Sequence, residues 1–80
     1  MTSKKLAQLN DAIKAGAEFY YYATFRKEVR RNPLEAVQRK GQVYLVFIKR
    51  NGDRMERKID SCVVATDNEA GRLVADLLQV

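Results

Sequence analysis

The 80-residue sequence lacks histidine and tryptophan, and it contains one cysteine, Cys62, and one proline, Pro33. Without histidine the chain has no imidazole for zinc ligation or for general acid–base work near neutral pH. A single cysteine excludes an internal disulfide. No apolar run approaches the roughly 18 residues of a membrane span, and residues 1–14 lack the apolar core of a signal peptide. We therefore predict a cytoplasmic protein that is not an enzyme and that holds neither a metal nor a cofactor.

What the sequence does contain is typical of a folded domain, with 46% hydrophobic and 31% charged residues. Eighty residues are enough for one small domain, residues 1–80, and too few for two. A chain of this length buries only about 60–65% of its unfolded surface. A partner or a second copy would add buried area, so the sequence leaves homo-oligomerisation open.

Positive charge is concentrated in the middle of the chain. The net charge is +5, and the segment from Arg26 to Lys58 alone carries +7, from eleven basic and four acidic residues. Clustered cations raise the local electrostatic potential and favour encounter with negative surfaces. This segment therefore indicates an anionic partner, which is either nucleic acid or a protein with an acidic surface. We do not expect the protein to bind a membrane.

Helical periodicity marks both ends of the sequence. Near the N-terminus, apolar residues recur at steps of three and four, which predicts a helix that Ser3 caps and Gly16 ends. Near the C-terminus, the segment Thr66-Asp-Asn-Glu69 matches a capping box, and an apolar stripe follows it. The two stripes are Leu6, Leu9, Ile13 and Ala17, and Ala70, Leu73, Val74, Leu77 and Leu78.

The segment between the first helix and residue 41 has mixed signals. Five of the seven aromatic residues lie between Phe19 and Phe25, and aromatic residues favour strands, so we predict a strand from Phe19 to about Val29. A helix stays open there, because some of these residues also fall at helical spacing. Asn32 followed by Pro33 is typical of a helix start, and Gly41 of a helix end, so a helix of about two turns is predicted between them.

Asn51-Gly52 separates two strand-like runs, residues 42–50 and 53–64. Asn-Gly is the strongest short-range signal for a two-residue type I′ hairpin. The predicted fold class is therefore α+β, in the order α-β-(α)-β-β-α. In this fold we expect a small antiparallel sheet of about three strands to pack against an N-terminal and a C-terminal helix.

A two-residue turn at Asn51-Gly52 determines which residues of the hairpin share a face. Counting outward, Lys49 pairs with Arg54, and Tyr44, Val46, Ile48, Met55 and Ile59 form the core face with Arg57 as its only charge. Three apolar residues then point outward among cations, which is typical of an interaction surface. We predict that this surface binds an acidic protein partner; its residues are Val43, Leu45, Phe47, Lys49, Arg54 and Lys58.

The leading functional hypothesis is thus a small binding protein that recognises another macromolecule by protein–protein contact. Small domains of this kind, without a catalytic constellation, are common among phage and mobile-element accessory proteins that modulate a host complex. The alternative is nucleic-acid binding, in which aromatic side chains stack on bases and neighbouring cations contact phosphates. The candidate residues for that alternative are Tyr20, Tyr22, Arg26, Lys27, Arg30, Arg31, Arg39 and Lys40.

Overall fold

The computed structural model describes residues 1–23 and 27–79, and in them it has an α+β fold. Two antiparallel three-stranded sheets, with strand orders β2-β1-β6 and β3-β4-β5, pack with a helix at each end of the chain. Neither helix in this part of the chain has the length and apolar character of a membrane span. The elements are α1 (Ser3–Lys14), β1 (Phe19–Tyr22), β2 (Glu28–Arg31), β3 (Glu35–Arg39), β4 (Gln42–Ile48), β5 (Arg54–Lys58), β6 (Val63–Val64) and α2 (Glu69–Leu78).

Both terminal helices form where the periodicity predicts them, but their N-caps differ from the prediction. Helix α1 is capped by Thr2, whose hydroxyl accepts a hydrogen bond from the Lys5 amide at 3.1 Å, and not by Ser3. In α2 the cap is Asn68, whose side chain accepts from the Gly71 amide at 2.7 Å. Each cap therefore satisfies a free amide of its helix's first turn.

The predicted apolar stripe of α2 is only partly buried. Ala70 and Val74 lie in the core, whereas Leu73 remains 53% exposed. Gly71 sits against the backbone of Ala65, and a side chain at this position would collide with the Ala65 carbonyl. The close approach between α2 and the segment after β6 therefore requires glycine here.

The aromatic segment forms a strand, as predicted, but the chain turns back before Val29. Strands β1 and β2 are antiparallel, with Phe19 opposite Arg31 and Tyr22 opposite Glu28. The prediction of one strand from Phe19 to Val29 is therefore wrong, since it spans two strands. Phe25 and the predicted nucleic-acid residue Arg26 lie outside the described residues.

The predicted helix after Asn32-Pro33 is wrong, because residues 35–39 form β3. The Asn32 side chain does not cap a new helix; it donates to the carbonyls of Ile13 and Ala17, at 3.0 and 2.6 Å, at the end of α1. Lys40 and Gly41, with φ values of 50° and 78°, form the two-residue turn that joins β3 to β4. Positive φ at both positions suits a type I′ hairpin turn.

The turn between β4 and β5 contains three residues, Arg50 to Gly52, and not two. The Lys49 amide donates to the Asp53 carbonyl at 2.8 Å, and Gly52 adopts a φ of 89°. A type I turn followed by a left-handed residue is the usual three-residue hairpin connection. Ile48 consequently pairs with Arg54 and Phe47 with Met55, one position away from the predicted register.

This one-residue shift turns every side chain of β5 to the other face relative to β4. The core lies between the inner faces of the two sheets and the two helices. Tyr21 of β1 and Phe47 of β4 join the sheets there, with ring centroids 4.6 Å apart. We call the faces that carry these two residues the inner faces, and the opposite faces the outer faces.

Candidate functional site

The predicted protein-docking surface is not present in the fold. Val43, Leu45 and Phe47 lie on the inner face of β4 and are 7%, 0% and 0% exposed. The prediction that they point outward is wrong, because the three-residue turn and the packing against β1 make theirs the core face. Lys49 now lies opposite Asp53, so the predicted pair of Lys49 with Arg54 does not form either.

The other two cations of that predicted surface lie on the outer face. Arg54 and Lys58 pair with Ile48 and Tyr44 of β4, and both cations are exposed. Lys49 lies instead beside the inner face, at the turn. The six predicted docking residues therefore separate into a buried apolar row and cations on two sides of the sheet.

Of the predicted nucleic-acid residues, Arg30 on the outer face of β2 is fully engaged within the fold. Its guanidinium donates to both carboxylate oxygens of Asp67, at 2.8 and 2.7 Å, to the Tyr20 hydroxyl at 3.0 Å, and to Glu18 at 3.1 Å. The hydrogen bond from Arg30 lowers the pKa of Asp67, and the hydrogen bonds that Arg30 donates to Asp67, Tyr20 and Glu18 raise the pKa of Arg30. Arg30 therefore joins β2 to β1 and to the start of α2.

Arg39 on β3 is engaged in a similar way. It forms a bidentate ion pair with Glu56 on β5, across the intervening strand β4, and its guanidinium lies 5.7 Å from the Tyr44 ring centroid. The pKa of Glu56 is lowered, chiefly by the hydrogen bond from Arg39. Arg54 adds a third charge, with its Nε 3.5 Å from Glu56. Val46, which pairs with Glu56 on the outer face, is fully buried beneath this side of the sheet.

The remaining predicted nucleic-acid residues do not form one surface. Tyr22 is 63% exposed on the outer face of β1, Lys27 precedes β2, and Lys40 lies in the turn after β3. Arg31, by contrast, faces inward. Among the predicted nucleic-acid residues that the structure describes, Arg31 is the one that lines a cleft together with cations from the other sheet.

This cleft has a volume of about 430 Å³ and lies where an edge strand of each sheet faces the other. Strand β2 contributes Val29 and Arg31, and β5 contributes Met55 and Arg57. The helices pack against β3 and β6, at the opposite sides of the sheets. Lys49, Arg50 and Asn51, from the turn between β4 and β5, form one wall of the cleft. We call this space the cationic cleft, and its cations are Arg31, Lys49, Arg50 and Arg57.

The two arginines of the edge strands have an unusual environment. The Nε atoms of Arg31 and Arg57 are buried, and neither has a hydrogen-bond partner among residues 1–23 and 27–79. The described residues that line the cleft include no carboxylate, and none of the ion pairs found among residues 1–23 and 27–79 involves its four cations. A buried polar group without a partner costs about 1–3 kcal/mol, and more for a charged group. A buried donor without a partner calls for an explanation, and an anion that binds in the cleft is one.

The surroundings orient these cations toward the cleft. The Arg57 guanidinium lies 5.6 Å from the centroid of Tyr21, whose ring is itself packed on Phe47. At the turn, the Asp53 carboxylate accepts a hydrogen bond from Asn51 at 3.1 Å, and the Asn51 side chain accepts from the Asp53 amide. Asp53 is thus held by Asn51, and Lys49 and Arg50 remain at the mouth of the cleft.

Sequence reasoning identified half of these cations, in two unrelated sets. Arg31 was among the predicted nucleic-acid residues and Lys49 among the predicted docking residues, whereas Arg50 and Arg57 were in neither set. Arg57 did carry a signal, since it was the only charge on the predicted core face of the hairpin. A single arginine that points into a core needs a partner or a ligand.

A second groove, of about 420 Å³, separates the two helices. Ala12 of α1 and Leu73 and Leu77 of α2 line it, and its two charged residues are the aspartates Asp11 and Asp76. Its negative charge makes it unsuited to phosphate. These two grooves therefore differ in charge sign. A third and smaller one, of about 260 Å³, has Lys14 as its only cation among the described residues, whereas the cationic cleft has four.

Cys62 packs against the core and is half-buried. Its burial raises the pKa of the thiol, which the positive charge of Arg57 partly offsets. The thiol is therefore protonated at neutral pH.

Comparison of the chain with protein-family models, with curated proteins and with solved structures finds no match to any of them.

Proposed function

We propose that this protein binds nucleic acid and that the cationic cleft holds backbone phosphates of the bound chain. The observation that carries the proposal is that Arg31 and Arg57 line the same cleft from two different sheets and that the buried Nε atom of each has no hydrogen-bond partner among the described residues. Lys49 and Arg50 add two further charges at the mouth. A phosphate oxygen is an acceptor that supplies the missing partner and neutralises the charge in one step.

The identity of the residues also supports a phosphate ligand. A guanidinium presents a planar fork of donors that matches the oxygens of phosphate and carboxylate groups, and it remains charged at every physiological pH. Arginines from β2 and β5 approach from two sides, so that one anion can bridge the two sheets. The positive charge concentrated in residues 26–58 attracts a polyanion over a long range. A small anionic metabolite carries fewer charges and is attracted less strongly.

Such binding depends on phosphates and therefore does not distinguish base sequences. Phosphate contacts position a nucleic acid, whereas specificity requires contacts with base edges. Tyr21 is the one aromatic residue among the described residues of the cleft; it is 5% exposed and its ring lies under Arg57, so it offers no face to a base. We expect similar affinity for oligonucleotides of different sequence.

The competing hypothesis of protein recognition loses the surface on which it depended. Its three apolar anchors, Val43, Leu45 and Phe47, are part of the core. Of the residues predicted to bind nucleic acid, Arg31 lies in the cationic cleft, and Arg50 and Arg57 lie there with it. We therefore rank nucleic-acid binding first.

Fluorescence anisotropy with labelled oligonucleotides tests the proposal. We expect binding at 50 mM salt that weakens steeply as the salt concentration rises, because neutralised phosphates release their counterions. The variant R31M/R57M is expected to bind at least tenfold more weakly. A matched control is K4Q/K5Q, which removes two exposed charges from the first turn of α1 and leaves the cleft unchanged. Equal losses in the two variants would show that net charge alone accounts for binding, and absence of binding at low salt would contradict the proposal.

A further inference from the structure

The dimensions of the cationic cleft restrict which form of nucleic acid can reach its arginines. Its volume of about 430 Å³ lies within the range of about 300–1,000 Å³ that is typical of sites for one small ligand. Arg31 and Arg57 line this cleft and both are partly buried, so a phosphate must enter the cleft to contact their guanidinium groups. A ligand that stays at the surface reaches only Lys49 and Arg50 at the mouth.

Duplex DNA meets this condition poorly. Base pairing holds its two backbones together, and its persistence length of about 150 base pairs keeps the duplex straight over the length of this protein, so it cannot fold a short stretch of backbone into a small cleft. A single strand is narrow and flexible enough to place one phosphate between the two edge strands β2 and β5. The strand can then place neighbouring phosphates against the turn that carries Lys49 and Arg50.

We propose that the cationic cleft is specific for single-stranded nucleic acid and binds one phosphodiester between Arg31 and Arg57, with adjacent phosphates on Lys49 and Arg50. This inference rests on the proposed nucleic-acid binding and adds the strandedness of the ligand and the position of each contact. The contacts involve phosphates and not bases, because the ring of Tyr21 lies under Arg57. Binding of this kind is insensitive to base identity.

The number of phosphate contacts sets a measurable salt dependence. For a single strand, the logarithm of the binding constant falls with the logarithm of salt concentration with a slope of about −0.7 per neutralised phosphate. The three phosphates of the proposal, one between the two arginines and one each on Lys49 and Arg50, therefore give a slope of about −2. Removing the two arginines in R31M/R57M, which share one phosphate, is expected to make the slope less steep by about 0.7.

The test compares fluorescein-labelled dT12, dA12 and a 12-base-pair duplex in anisotropy titrations at 50 mM salt, with inorganic pyrophosphate as a competitor. We expect dT12 and dA12 to bind within threefold of each other and at least tenfold more tightly than the duplex. Pyrophosphate is expected to displace the single strands. The control K4Q/K5Q should change these affinities by less than threefold.

Further variants separate the cleft from the other surfaces. K49Q/R50Q, in an exposed turn whose glycine is retained, is expected to weaken dT12 binding about tenfold while the circular dichroism spectrum stays unchanged. Tyr22→Ala should have no effect, since Tyr22 lies on the outer face. A loss of binding in Tyr22→Ala with none in K49Q/R50Q would overturn the inference.

The failure of this inference is distinct from the failure of the proposed function. Equal or tighter binding of the duplex would overturn single-strand specificity and leave nucleic-acid binding intact. Absence of binding to all three probes would overturn both. A preference above tenfold between dT12 and dA12 would show that bases are read, which contradicts the phosphate contacts proposed here.

Discussion

Arg30 and Arg31 are neighbours in the sequence, and their environments are opposite. Arg30 lies on the outer face of β2, where Asp67, Glu18 and Tyr20 satisfy its guanidinium. Arg31 points to the inner side, where its Nε is buried without a partner among the described residues. The same contrast separates Arg39, paired with Glu56 on an outer face, from Arg57 in the cleft.

This comparison indicates different roles for the two sets of arginines. On the outer faces, carboxylates neutralise the guanidinium groups, which hold strands and loops together. On the inner side, two guanidinium groups keep unsatisfied donors where the sheets leave a cleft. Stability alone does not favour that arrangement, because apolar side chains of similar size would remove the unsatisfied donors. The nucleic-acid ligand that we propose would account for it.

The largest expected effect concerns the apolar residues of the two faces of β4. Phe47→Ala should lower the free energy of unfolding by about 3–5 kcal/mol, since the ring is fully buried between the sheets. Ile48→Ala should lower it by less than about 1 kcal/mol, because Ile48 is 44% exposed on the outer face. Urea unfolding measures both values. A larger loss in Ile48→Ala than in Phe47→Ala would mean that β4 has the orientation predicted from a two-residue turn.

The next effect concerns the arginines themselves. R31M and R57M should each raise the free energy of unfolding by about 1 kcal/mol, because each removes a buried donor without a partner. R30Q should lower it, because it leaves Asp67 and Glu18 without the guanidinium that joins them. Thermal unfolding monitored by circular dichroism checks the signs. Destabilisation by both R31M and R57M would show that these side chains have partners within the fold.

The smallest effect is the dependence of stability on pH through the outer-face ion pairs. Hydrogen bonds from arginine lower the pKa values of Asp67 and Glu56 in the folded state. A lowered pKa stabilises the fold above the unfolded value, which is about 4 for both residue types, and this contribution is lost as the pH falls through the folded value. We therefore expect stability to decline below about pH 4, as these carboxylates become protonated.

Replacing one of these carboxylates tests that explanation. D67N should lower the unfolding temperature at pH 7 and should reduce the further loss between pH 5 and pH 3. D60N is the matched control, since Asp60 is exposed and takes no part in the ion pairs of the described residues. An equal response of the two variants would contradict a role for the pair of Arg30 with Asp67.

The α+β class and the two terminal helices followed from the sequence, because amphipathic periodicity over three turns is a local property that the packed state preserves. The strand character of Phe19–Tyr22 was also readable from its aromatic residues. The caps were displaced by one or two residues, to Thr2 and Asn68, because several neighbouring polar side chains can serve as a cap. The choice among them depends on where the first helical turn packs.

The sequence predicted the lengths of the turns less well than it predicted the helices. Asn51-Gly52 correctly marked a hairpin, but the glycine occupies the left-handed position of a three-residue turn, and local residue preferences do not distinguish the two lengths. The pairing of Phe47 with Met55 does distinguish them, since it brings Val43, Leu45 and Phe47 to the core face. In the same way Gly41, whose sequence context suggested a helix end, belongs to a type I′ turn once β3 pairs with β4.

The sequence by itself determined the fold class, the terminal helices and the excess of positive charge, since each of these depends on composition or on residues close together in the chain. The tertiary structure decided which cations share a site. Arg31 and Arg57 are 26 positions apart in the sequence and meet because β2 and β5 are edge strands of two different sheets. Their unsatisfied donors exist only where those two edges face each other, which no local pattern specifies.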